Sequence, residues 1–206
     1  MNAESDRAAL FEALALASEL ASQAQEPEAM IRALVAPILE LAGDRDAWQH
    51  PGSLKPGERQ YYVGGCFVVT PDQRWHMLIG NIGFPVEQRR LMIPIDGGHP
   101  ATVHQSGKPL LLANTDEHGS FRQYLKSSRM GSSIYAPMFS RGRFVGQVIA
   151  AAQARNTFRE QDLALLRIQA SLAAARWLEL DGAGWLAREY PPADAFRVNP
   201  QGVDAG

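Results

Sequence analysis

The sequence predicts an α+β fold: a central antiparallel sheet of five or six strands, with N- and C-terminal helices packed on one face and short helices and loops on the other. Three observations predict it. Long Ala- and Leu-rich stretches with helical spacing lie towards both ends of the chain. Between them run short apolar segments joined by tight turns, the mark of hairpins and hence of antiparallel pairing. Two connections between these segments carry short-helix signals. A sheet needs both faces covered, and this order supplies a thick helical layer for one face and a thinner cover for the other.

The elements follow in order. In residues 5–24, Leu10, Leu14, Ala17 and Ala21 recur at helical spacing with Phe11 beside them, and Ser5 or Asp6 suits the cap. Pro27 sits where a first-turn proline is tolerated. Met30, Ile31, Leu34, Val35, Ile38 and Leu41 then form a second amphipathic helix ending near Gly43. Pro37 inside it predicts a kink or a break. The apolar stripes serve either to cover the core or also to form a dimer seam around Leu14, Leu34 and Leu166. In the second case Leu166→Glu should give a monomer. Residues 44–60, with Pro51, Gly52, Pro56 and Gly57, read as a loop from which Trp48 folds back onto the body.

Residues 61–70 are apolar at nearly every position, which predicts a strand covered on both faces; Gly64 and Gly65 predict a bulge or a close approach. Pro71-Asp72-Gln73 turns the chain, and residues 74–82 return as a hairpin partner. Residues 91–95 make a short strand. A helix opens at His99-Pro100 and closes before Gly107, and Pro109 to Ala113 reads as another short strand. Asn114-Thr115-Asp116 turns into a second short helix over 121–128. Residues 133–139 and 144–150 form a hairpin through Arg141-Gly142-Arg143. Thr157 with Glu160 is a capping-box pattern opening the last helix, whose Leu163, Leu166, Ala170, Ala173 and Trp177 share one face. From Gly182 onward Gly and Pro leave little room for regular structure. The chain therefore divides into one domain over 1–181 and a Gly/Pro-rich tail over 182–206.

Bulk properties narrow the function. A chain of 206 residues buries a sizeable core without staples. A net charge of −2 with scattered Lys and Arg gives no nucleic-acid footprint. The single cysteine, Cys66, excludes an internal disulfide and a cysteine zinc cage, and fits a reducing cytoplasm. The N-terminus lacks the basic start and apolar run of a signal peptide, and no apolar stretch approaches the roughly 20 residues of a membrane helix. A cytoplasmic protein is expected. There is no Gly-x-Ser-x-Gly elbow, His-Glu-x-x-His or phosphate loop.

Gly107-Lys108-Pro109 before a short strand, Asn114-Thr115-Asp116 after it, Ser133-Ile134-Tyr135-Ala136-Pro137-Met138, Phe144-Val145-Gly146, and Phe158 with Asp162 occur in an order and spacing that resembles the GAF domain family over roughly residues 8–178. PAS domains share a similar outline, but the terminal helix pair and the Phe158/Asp162 helix start favour GAF. The resemblance implies a ligand-sensing or dimerising module that cradles a small molecule between the sheet and the short central helices. Ligands known for the family include cyclic nucleotides, haem, bilins, 2-oxoglutarate and other metabolites.

The candidate residues are weighed against this. Cys66, on a buried strand and followed by Phe67, reads as a small hydrophobe; a bilin site would want a cysteine next to a histidine in the pocket helix region, and a reductase of the free-methionine-sulfoxide type uses several cysteines. His50, His76, His99, His104 and His118 show no metal-ligand spacing, although His104 or His118 would suffice as a single axial haem ligand. Asn156 and Asp162 resemble the cyclic-nucleotide GAF motif, but Thr157 and Leu163 stand where it has Lys and Glu, so its ordering Lys/Asp pair is missing. The ligand site is placed at Phe121, Tyr124, Arg129, Ser132, Ser133 and Tyr135, where aromatic walls meet a cation and hydroxyls. Arg122 or Arg129 would hold a carboxylate or phosphate, and Arg129→Ala should weaken an anionic ligand. The expected function is a non-enzymatic, dimeric small-molecule sensor of unidentified ligand, with no catalytic residue, no metal, no nucleic-acid or membrane partner and an output passed to a downstream protein. The alternatives are a reductase of the same family and a ligand-free association module.

Overall fold

The two N-terminal helices form as their spacing dictates: α1 spans Ala3–Gln23 and α2 spans Pro27–Leu41. The computed structural model describes residues 3–119, 121–125 and 129–198. Among these no helix is long and apolar enough to cross a membrane. Helix α2 continues through Pro37 without a break. It buries Met30, Ile31, Leu34, Val35 and Ile38 completely. Each such side chain is worth about 1.5–3 kcal/mol of burial. Trp48 does not fold back onto the body; it stays half exposed.

Strands β1 (Tyr62–Val69), β2 (Trp75–Ile82), β3 (Arg90–Pro94), β4 (Leu110–Leu112), β5 (Ser132–Ser140), β6 (Arg143–Ala152) and β7 (Ala195–Arg197) make one sheet in the order β4-β5-β6-β1-β2-β3-β7. The first six pair antiparallel. The register shifts between Gly64 and Cys66, where a bulge was expected. A Cβ on Gly64 would come within 2.6 Å of Val35 Cγ1, so the glycine is what lets α2 lie close against β1. Arg141 and Gly142, both at positive φ, close the β5–β6 hairpin.

Helices α2 and α4 (Glu160–Glu179) pack on one sheet face, and α1 packs on α2. The core there contains Ile134, Ala136 and Met138 of β5, Cys66 and Val68 of β1, and Leu163 and Leu166 of α4. The opposite face carries a separate apolar cluster, including Phe67, Leu78, Ile93, Tyr135 and Ile149, covered by α3 (Gly98–Ser106) and by residues 121–125. The helical pair at the two ends of the domain therefore shares one side, as expected.

Four further expectations are corrected. Residues 121–125 are not helical, and the rest of the helix expected over 121–128 lies outside the described residues. Thr157 does not cap α4. Its hydroxyl donates to the Ala154 carbonyl instead (2.8 Å), and the Asp162 carboxylate takes the cap by accepting from the Arg159 N–H (2.8 Å). Leu34 and Leu166 are fully buried inside the protomer and cannot form a seam with a second copy.

The tail is the fourth. Helix α5 (Gly182–Glu189) and β7 follow the domain, and β7 adds to the sheet parallel to β3, making a seventh strand. The glycine that suggested irregularity serves a close junction: a Cβ on Gly182 would lie 2.2 Å from the Trp177 ring. Trp185 of α5 meets Trp177 edge-on and lies under the Arg90 guanidinium. Tyr190 donates to Asp72 at 2.6 Å. Of the tail as expected, residues 199–206 lie outside the described residues.

Candidate functional site

Alternation along β5 decides which side chains reach the hollow in front of the sheet. Ser133 and Tyr135 point into it, with Phe67, Ile93 and Ile149 as the apolar floor. Phe121, Tyr124, Leu125 and Met130 form the roof, and His99 and Pro100 of α3 close one side. The cavity measures about 60 Å3 and is partly open to solvent. Larger hollows of about 380 and 310 Å3 are open grooves near the β5–β6 turn, lined by Trp177 and by Phe139.

The roof is tied at both ends. Thr115 donates its backbone N–H to Gly131 (2.9 Å) and its hydroxyl to Met130 (2.6 Å), bringing the two ends of the covering loop together. The Gln88 amide donates to the Tyr124 carbonyl at 2.6 Å, and Arg129 donates to Thr115 at 2.8 Å. Asp116 collects three cations: Lys55 at 2.9 Å, Arg155 at 3.1 Å and Arg129 at 3.3 Å. Arg155 is itself buried and also pairs with Glu58. Burial pushes the Glu58 and Asp116 carboxyls up, but hydrogen bonds from Arg155, from Lys55 and the attendant charges outweigh it, so both are held below the usual carboxylate range.

Four of the six residues proposed from sequence line the cavity: Phe121, Tyr124, Ser133 and Tyr135. The other two do not. Ser132 alternates to the helix side, where its hydroxyl accepts the buried Phe158 N–H at 3.1 Å. Arg129 is held outside by Thr115 and Asp116, with its guanidinium 4.7 Å from the Phe121 ring centroid. Arg122 lines the mouth and is exposed. Sequence reasoning missed His99 as a cavity residue, reading it as a helix start and as one of five histidines without metal-ligand spacing. It also missed the floor residues, which period-two alternation in β1 and β3 would have separated from their helix-facing neighbours.

Burial drives the remaining ionisable groups towards neutrality. The Tyr124 and Tyr135 hydroxyls are pushed up to about 12. His99 is lowered to about 4 by burial and by the nearby His118 and Arg129. His76 is lowered to about 4 by burial and by His104, against a smaller opposing contribution from the Ile95 backbone. His104 stacks on Phe144 at 4.4 Å between ring centroids, and His118 meets His99 edge-on; neither histidine lines the cavity. Cys66 faces the helices, its sulfur 3.3 Å from that of Met138, and burial pushes its thiol up. It stands across the sheet from the cavity. Asn156, at positive φ, donates its N–H to Ala113, and Asp162 serves the α4 cap.

A sheet of six antiparallel strands with a seventh parallel at its edge, backed by terminal helices and fronted by a hollow, defines an α+β sandwich. The family model described as GAF domain matches residues 3–177, and the chain belongs to the GAF domain family. No curated protein matches at a significant level. Solved structures share the fold. The GAF domain from a phosphoenolpyruvate-protein phosphotransferase of Coxiella burnetii is 16% identical, with a TM-score of 0.67, covering 85% of this chain and 96% of that one. A free methionine-R-sulfoxide reductase from Neisseria meningitidis, solved in complex with its substrate, is 20% identical, with a TM-score of 0.65 and coverages of 84% and 91%. Residues 122 to 287 of a methyl-accepting chemotaxis protein are 12% identical, with a TM-score of 0.61 and coverages of 81% and 98%.

Proposed function

We propose that this GAF domain is a non-enzymatic sensor that binds a small metabolite between the sheet and residues 121–125, works as a homodimer and passes its state to a downstream protein. The observation that carries this reading is a roofed apolar hollow into which a few polar side chains converge. Native mass spectrometry of the protein as purified, with an absorbance scan, tests it. A discrete small-molecule mass on the folded protein, released on denaturation, is the expected result. A bare mass, together with no thermal shift across a metabolite panel, would remove the ligand reading.

That outcome would favour a second reading, a ligand-free association module. The volume of about 60 Å3 speaks for it, being well below the roughly 300 Å3 at which ligand pockets begin. The reductase reading draws on the Neisseria structure, but it needs a reactive thiol. Cys66 is fully buried on the far face with a raised pKa, and one thiol closes no internal disulfide. Methionine sulfoxide reduction that is abolished by Cys66→Ser would restore it.

A further inference from the structure

The polar side chains lining the cavity are the hydroxyls of Tyr124, Ser133 and Tyr135, the His99 imidazole and the Gln123 amide, with the Arg122 guanidinium at the mouth. Ser133 is only 1% exposed, and its Oγ makes no hydrogen bond of good geometry among the described residues, although the Tyr135 hydroxyl is a near neighbour. The Tyr124 hydroxyl is likewise buried without such a bond. Buried hydroxyls in this condition are destabilising until something meets them. Both tyrosines stay protonated and His99 stays uncharged at neutral pH, given the directions of their shifts. Arg129, outside the cavity, is engaged by Asp116, by the Thr115 carbonyl and by the Phe121 ring. Arg122 stands exposed at the mouth, and no carboxylate of the described residues lines the cavity.

An ionised molecule entering here would give up its hydration and meet no buried counter-charge. A neutral one would lose little and would satisfy the waiting hydroxyls. We infer that the cavity selects a small uncharged molecule, an apolar ring or branched chain bearing a single hydroxyl, carbonyl or amide group that Ser133 and Tyr124 hydrogen-bond. This rests on the small-molecule reading above, and it replaces the anionic ligand that the arginines suggested from sequence. The present volume is too small for a six-membered ring, so entry requires the Phe121 and Tyr124 rings to shift.

Four probes of nearly equal shape test it: benzyl alcohol and benzamide, both neutral, and benzoate and benzylammonium, which are charged. Each is titrated into the full chain at neutral pH while the methyl signals of Met130, Ile93 and Ile149 are followed by NMR. Saturable shifts with both neutral probes, at least tenfold weaker with both ions, are expected. Ser133→Ala should weaken the neutral probes about tenfold, the loss of one hydrogen bond, with the rest of the spectrum unchanged. Tyr124→Phe gives the same readout should Ser133→Ala fail to fold. Equal or tighter binding of either ion at these methyls would overturn the inference and leave the cavity as a ligand site. Neutral probes that bind equally well to both variants would overturn the part given to the hydroxyls. Silence from all four probes would overturn this inference, while the small-molecule reading beneath it stands or falls on the native mass and the metabolite panel.

Discussion

His76 lies on β2 with its ring edge-on to His104 and completely covered. Its imidazole is lowered to about 4 in the fold, whereas an unfolded chain returns it to about 6.5. Below 6.5 the unfolded state therefore binds a proton that the native state refuses. Stability is full above about pH 6.5 and falls as the pH drops, until the native imidazole also protonates near 4. His99 adds a second contribution of the same sign. Each is on the order of 3 kcal/mol across the window. Chemical denaturation at pH 7 and pH 4.5 should show a marked loss at the lower value. His76→Leu should shrink that loss by about half, and an unchanged pH slope would mean that His76 is not the group responsible. None of this was visible in the sequence, where His76 was one of five scattered histidines. A pKa is set by what packs around the ring, and the partners come from other elements.

Helix α4 depends on one carboxylate. Asp162 accepts the Arg159 N–H at 2.8 Å on one oxygen and the Gly43 N–H at 2.9 Å on the other, so it both caps its own helix and ties the end of α2 to the start of α4. Asp162→Ala removes both acceptors from a buried position. It should lower stability by about 2–3 kcal/mol, the sum of a lost cap and a second unmet donor. Urea unfolding would measure this, and a change under about 0.5 kcal/mol would show that water replaces the carboxylate. The sequence offered Asp162 for this region but assigned the cap to Thr157, because a local pattern cannot reveal that Thr157 is buried against Ala154. Elements defined by local chemistry were legible: Gly107 adopts the left-handed cap that ends α3, and Arg141 with Gly142 makes the hairpin turn. Elements held by distant contacts were not. Residues 121–125 carry aromatic side chains that read as helical, yet they lie over the cavity without regular secondary structure, anchored by Gln88. The tail read as irregular because its glycines looked like breaks, whereas Gly182 makes room for Trp177 and β7 finds its partner in β3, about a hundred residues away. The site was half legible for the same reason: β5 alternation separates Ser133 from Ser132, but only the fold shows which face is hollow.

At the scale of the molecule, the two sides of the sheet are finished differently, and the helical side is where we place the proposed dimer seam. The helical layer leaves large apolar side chains in solvent: Phe11 at 59%, Leu16 at 56% and Leu20 at 50% on α1, with Ile168 at 58% and Leu172 at 38% on α4. The two helices are held together where Arg176 donates to the Ala21 and Ala24 carbonyls, at 3.2 and 2.8 Å. Exposed apolar residues at i and i+4 on α4 make a stripe suited to knobs-into-holes contact with a second copy. Leu166→Glu is therefore the wrong test, since it puts a charge into the protomer's own core and should unfold the chain. The double substitution Ile168→Glu with Leu172→Glu alters only solvent-facing positions. It should leave thermal unfolding within a few degrees of wild type while light scattering reports a monomer. A wild-type chain that is monomeric at high concentration would remove the dimer from the proposal. A variant that remains dimeric would move the seam off α4, leaving the exposed face of α1 around Phe11 and Leu20 as the surface to alter next.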